Sequence, residues 1–206
     1  MGQKYFAGRR TMKKFTSDID IDFKNREEIL KLVSHTPASI SRDDKLVQHN
    51  TGVYVTDIPV DPFKGISSID YVTAEERGYV KLDFLNVGLY SHVRDEQHLD
   101  SLLKMEPDWG RLQNRNFCSQ LIHIGNHYDT LIRMPEPVNS IPRMAMFLSV
   151  IRPAKRHLIG QTWQTVAKTV WQADPDGGYQ FKKSHSLAYA HLVVVHMNLI
   201  TLNEIK

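Results

Sequence analysis

Hydrophobic periodicity changes once along this chain, near Gly88, and that change limits the folds open to it. Before Gly88, apolar residues alternate with polar ones or gather in short β-branched and aromatic runs. Strands are expected over residues 18–23, 49–56 and 79–84, a helix over 25–33, and turns at Pro59, Pro62, Gly65 and Gly78. After Gly88 the spacing is helical. Leu99, Leu102 and Leu103 share one helical face, as do Leu121, Ile124, Tyr128 and Leu131. Further helices are expected over 142–151, 157–172 and 184–202, separated by Pro153 and by a DPDGG loop at 174–178. The expected class is α+β: one domain over 17–206, α+β from 17 to 88 and mainly helical from 89 to 206, preceded by a basic arm over 1–16.

Composition narrows the setting. The 206 residues are 41% hydrophobic, enough for a core of ordinary proportions. No run reaches the roughly 18 apolar residues needed to cross a bilayer, and the opening MGQKYFAGRR lacks the apolar centre of a signal peptide, so a cytoplasmic location is expected. The lone Cys118 excludes an internal disulfide and, without a matched cluster, a zinc site; it reads as a buried filler. Net charge is only +3, yet Lys4, Arg9, Arg10, Lys13 and Lys14 fall in the first fourteen residues with no acid among them. Such a cluster suits a polyanion, or a solvated arm.

Two short strands carry the chemistry. Period two places Asp18, Asp20 and Asp22 on one face of the first, with neighbouring carboxylates about 7 Å apart along it. Carboxylates that close repel, and hard divalent cations such as Mg²⁺ would relieve them. The alternative is an exposed edge whose acids deter aggregation. In the second strand, Lys81 and Asp83 share a face. An ammonium beside a metal-binding carboxylate fits phosphoryl transfer, while the plainer reading is an exposed ion pair.

Other constellations are weaker. His123 and His127 stand four apart, but no glutamate in the required pattern and no third ligand accompanies them. His191 and His196 read as packing or surface residues. Trp163, with Val166, Ala167 and Val170 at helical spacing, reads as core rather than as a base-stacking platform. There is no Walker-type phosphate loop and no dinucleotide fingerprint.

The order of the motifs resembles one family. SDIDIDFKNREEI at 17–29 is similar to the palm motif of C-family DNA polymerases, the bacterial DNA polymerase III alpha subunits, in which an acid-alternating strand precedes a helix opened by a basic residue. YVKLDFLNVG at 79–88 resembles their second palm motif. Between them, Arg42 and QHNTGVYV at 48–55 are similar to a segment in which an arginine and a histidine precede a glycine-bearing strand. PRMAMFLSVIRPAKRHLIG at 142–160 resembles a family helix ending in Arg-Pro, and FKKSHSLAYA at 181–190 a Lys-Ser-His segment.

The resemblance implies a nucleotidyltransferase-like palm with a mixed sheet. It assigns Asp20, Asp22 and Asp83 as catalytic ligands of two Mg²⁺ ions, with Mn²⁺ able to substitute. It assigns Lys81, Arg42, His49, Arg152, Lys182, Lys183, Ser184 and His185 to nucleotide or DNA contacts. Expected partners are a primed DNA template, deoxynucleoside triphosphates and replisome proteins, with no membrane. The chain departs from the family in length, in the roughly twenty residues between Gly160 and Phe181 where the family has an extended fingers region, and in Ala154, which replaces a glycine after Arg-Pro. Two readings follow: a DNA-directed polymerase reduced to its palm, or a polymerase-derived protein that binds DNA or modulates the replisome without chemistry. A metal-dependent nuclease is a further possibility.

Overall fold

The computed structural model describes residues 19–172 and 181–205. Asp18, the five cations of the N-terminal arm and the 174–178 loop lie outside them. Two compact units divide between Tyr90 and Ser91.

The first unit is a four-stranded mixed sheet. Strand β1, Ile19–Phe23, puts its acids on one face and Ile19, Ile21 and Phe23 on the other. Helix α1, Arg26–Leu30, follows, with Asn25 accepting from the Glu27 amide as its N-cap and two glutamates in its first turn. It is shorter than the expected 25–33, because the Leu32 and Val33 amides both turn back to the Ile29 carbonyl. Strand β2, Thr36–Arg42, was not expected from the sequence. It forms a hairpin with β3, Lys45–Tyr54, closed by Asp43 and Asp44 at φ 49° and 58°. Two successive left-handed residues make the mirror-image turn that matches strand twist, and aspartate tolerates it better than most residues.

Helix α2, Tyr71–Glu76, is capped by Asp70, which accepts from the Val72 and Thr73 amides and the Thr73 hydroxyl. Gly78 at φ 88° ends it and turns the chain into β4, Leu82–Asn86. The strand order is β1-β4-β3-β2, with β4 parallel to β1 and antiparallel to β3. Phe23 and Phe84 meet diagonally across β1 and β4, ring centroids 4.7 Å apart, on the face opposite the acids. A small cluster of Ala38, Tyr54, Ile58 and Ala74 lies buried beneath α2, with Ile69 and Tyr79 packed on it.

The second unit is helical. Helix α3, Glu96–Lys104, buries His98 and Leu102, with Leu99 and Leu103 at the margin. Helix α4, Arg115–Gln120, and the short α5, Tyr128–Leu131, replace the continuous helix expected through Leu121, Ile124, Tyr128 and Leu131. Those four side chains do pack inward, but His123 at φ 62° breaks the helix between them. Helix α6, Ile141–Val150, buries seven successive residues from Met144 to Val150. The helix expected over 157–172 is instead a 3-10 turn, Pro153–Leu158, and α7, Trp163–Thr169. Gly160, left-handed at φ 83°, separates them.

Helix α8, Lys183–Thr201, is the longest element and packs against α6 and α3. A helix apolar on all sides must be enclosed, and α8 from Leu192 to Leu199 is. Its buried Asn198 donates from Nδ2 to the Leu102 and Met105 carbonyls, both at 2.8 Å, closing the C-terminal end of α3. Trp163 is core, its Nε1 donating to the Glu136 carbonyl. Cys118 is fully buried, and burial pushes its thiol up to about 11. None of the described helices is long and apolar enough to cross a membrane.

Candidate active site

The polar face of the first unit centres on Asp83. Parallel pairing sets Asp20 of β1 opposite Asp83 of β4, so the two carboxylates leave the same face from strands about 5 Å apart. Asp22 follows two residues along that face, more exposed than Asp20. On the other flank of β4, Gly52 of β3 is paired with Asp83.

Asp83 is 8% exposed and held at both oxygens. The Thr51 hydroxyl donates to Oδ1 at 2.6 Å, and the Lys81 ammonium pairs with Oδ2. Thr51 reaches Asp83 because β3 is irregular here. Between Pro37 and Ser39 of β2 the partner residues on β3 jump from Val53 to Gln48, so the intervening segment bulges out of the ladder. His49 holds that bulge from within: its Nδ1 accepts from the Gly52 amide at 2.9 Å and, more weakly, the Thr51 amide at 3.3 Å. Arg26 braces it from outside, its guanidinium donating to the Asn50 carbonyl.

These bonds fix the chemistry of His49. With Nδ1 an acceptor, the ring is neutral and its proton sits on Nε2. Burial, then the Lys81 charge, lowers its pKa, with smaller contributions from Arg26 and Arg42 opposing the pull of Asp83. The approach of Nδ1 to Asp83 Oδ1 at 3.8 Å is therefore no ion pair. Lys81 supplies the positive charge.

Gly52 gives Lys81 its path. A Cβ there would stand 2.7 Å from Lys81 Cδ, 3.0 Å from His49 Nδ1 and 3.1 Å from Ala38 Cβ. The Lys81 stem crosses β3 through that gap, with its ammonium 5.7 Å from the centre of the Tyr71 ring, which also meets His49 edge-on. Tyr90 flanks the acids on the β1 side: burial and the Asp22 carboxylate both raise its hydroxyl pKa. Arg42 ends β2 opposite Lys45, exposed.

The remaining expected residues belong to the second unit. Arg152, after α6, lays its guanidinium 3.7 Å from the centre of the Phe181 ring. Lys182 is the N-cap residue of α8, and Lys183, Ser184 and His185 form its first turn. The Lys183 ammonium lies 5.2 Å from the Trp171 ring centre, and Trp171 Nε1 donates to Ser149 of α6 and Ser186 of α8. The two later motifs thus meet around Phe181 and Trp171. His123 and His127 do not form a metal pair, since the chain between them is not one helix. His123 packs edge-on against Tyr189, and burial, with Arg152 nearby, lowers its pKa to about 4.

Thr51, Arg26, Tyr71 and Tyr90 were not singled out by residue type. The signal for Thr51 is its place next to the glycine of QHNTGVYV. Whether the acids suit a divalent cation turns on donor chemistry and local charge. Carboxylate oxygens from adjacent strands are the hard donors Mg²⁺ takes, and at Asp83 such an ion would have to displace the Lys81 ammonium. No ready-formed group of three His, Cys, Asp or Glu side chains stands together among the described residues. Compared with known proteins, the chain matches no family model, no curated protein and no solved structure.

Proposed function

We propose that this chain carries a polymerase palm of the C-family type and performs metal-dependent nucleotidyl transfer on a primed DNA template. The observation that carries the reading is the register of β1 on β4: two aspartates directly opposite on parallel strands, a third further along the same face, and a lysine beside them. Together with the motif order in the sequence, that juxtaposition is what a nucleotidyl-transfer centre requires.

In this reading Asp20, Asp22 and Asp83 hold Mg²⁺ or Mn²⁺. Bound, the ions would activate a primer 3′-hydroxyl and offset charge developing on the transferred phosphorus. Lys81 binds triphosphate oxygens as a point charge, and Thr51 keeps Asp83 turned toward the face. Arg152, Lys182 and Lys183 contact DNA phosphates from the second unit, contacts that set position rather than sequence preference. Deoxynucleoside triphosphates are the co-substrates, and replisome proteins are candidate partners.

The test is primer extension with the full chain, labelled primed template, four nucleotides and Mg²⁺ or Mn²⁺, beside Asp22→Asn. Extension that falls at least about 100-fold in the variant supports the reading. Shortening of the primer replaces it with a nuclease. Template binding that weakens with salt, with primer length unchanged, replaces it with a non-catalytic DNA-binding protein.

A further inference from the structure

Asp83 is already engaged at both oxygens. One accepts from Thr51 and the other is paired with Lys81, and the carboxylate is mostly buried, so an incoming cation meets the ammonium first. A divalent ion at Asp83 would compete with the ammonium for Oδ2 and repel it at close range, so the two do not share the carboxylate.

The ammonium is not free to leave at no cost. Its side chain is 17% exposed, its stem is fixed in the gap above Gly52, and the nearby His49 ring is an acceptor only at Nδ1, which already faces the bulge amides. A part-buried ammonium drawn off its carboxylate needs another anion. An incoming triphosphate is such an anion.

We propose that Lys81 is a displaceable counter-ion for Asp83, which makes metal binding at Asp83 and triphosphate binding at Lys81 reinforce each other. The metal expels the ammonium from the carboxylate, and the triphosphate receives it. By linkage each ligand then tightens the other, and the carboxylate face is neutralised until both are present. The stem stays on Gly52 while the terminal ammonium moves. The proposal rests on the nucleotidyl-transfer reading, since it takes Asp83 as a metal ligand and a triphosphate as the anion.

The experiment measures Mn²⁺ affinity without nucleotide, from the electron paramagnetic resonance of free Mn²⁺, for the full wild-type chain and for Lys81→Met, which keeps the stem and removes the charge. Lys81→Met is expected to bind Mn²⁺ about ten-fold tighter or more, a gain abolished when Asp83→Asn is added. Equal affinities in wild type and Lys81→Met would overturn the counter-ion role and leave the metal centre standing. Absence of Mn²⁺ binding in both would overturn the metal reading and the counter-ion role with it. Because Lys81→Met leaves a buried carboxylate without its cation and could fail to fold, a second measurement uses the wild type: the Lys81 ammonium resonance of nitrogen-labelled protein titrated with Mg²⁺ in the presence of a deoxynucleoside triphosphate. A shift of that resonance that needs both ligands supports displacement, and a resonance unchanged at saturating Mg²⁺ and triphosphate overturns it.

Discussion

In the second unit, α6 and α8 bury successive apolar residues, and the polar groups that go inside, Asn198, Ser149 and Ser186, each have a hydrogen-bond partner. In the first unit the cluster under α2 comprises Ala38, Tyr54, Ile58 and Ala74 with Ile69 and Tyr79 packed on it, while the middle of the sheet carries an Asp–Lys pair held between a threonine and a glycine gap. Apolar burial stabilises in proportion to area, whereas a part-buried ion pair roughly breaks even against its desolvation. The second unit therefore draws its stability from side-chain volume. The first has a smaller apolar core, which includes Val53, Ile66 and Phe84, and sets beside it a close backbone approach around a charged centre.

The largest expected effect lies in the second unit. Phe147→Ala removes a fully buried ring from α6 and should cost about 3–5 kcal/mol in urea denaturation. The probe is selective, because Trp109, Trp163 and Trp171, the chain's three tryptophans, all lie in this unit. A loss under about 1 kcal/mol would break the contrast, since it would mean that α6 is not where stability resides.

Gly52→Ala sharpens the other side. The added Cβ would meet Lys81 Cδ at 2.7 Å, so either the stem or β3 must shift, at an expected cost of about 1–3 kcal/mol. Faster amide hydrogen exchange in β3 and β4 with an unmoved tryptophan transition is the expected pattern. If the tryptophan transition moves as much as it does for Phe147→Ala, the two units draw on one common stability and the comparison fails.

The smallest effect concerns a polar intruder in the apolar unit. The unfolded chain protonates His123 near pH 6.5, but the folded protein resists until about 4, so below 6.5 the unfolded state binds more protons. Stability from this group is complete above pH 6.5 and declines as pH falls toward 4. His123→Asn, which tolerates the left-handed backbone, should flatten tryptophan-detected stability across that window. His127 and His196, also lowered by burial, leave a residual slope. An unflattened profile would show that His123 is not the proton acceptor.

Much of this was legible from the residues. Alternation in IDIDF gave β1 and its acidic face, and the apolar run after Ser140 gave α6. Strand β2 was hidden because Pro37 and its small and polar residues resemble a loop, and because an Asp-Asp turn lacks the glycine that usually marks a hairpin. His123 interrupts a sound helical stripe by backbone conformation, which side-chain spacing cannot report. The Asp20–Asp83 pairing was expected only from motif order, since register belongs to the sheet rather than to either strand. The role of Thr51 depends on a bulge, and no residue type announces one.

The parallel pairing of β1 with β4 also sets an order of assembly. The β2–β3 hairpin closes over two residues, whereas Asp20 and Asp83 are roughly sixty residues apart and meet only after that whole loop has closed. Loop closure on that scale comes late in folding, so the carboxylates confront one another only once the rest of the sheet is in place to hold them. The same strand is a natural one to fray, since it is an edge strand like β2 but, unlike β2, is not tied to its neighbour by a hairpin turn. Gentle warming should then part Asp20 and Asp22 from Asp83 before the unit melts, through the detachment of five residues.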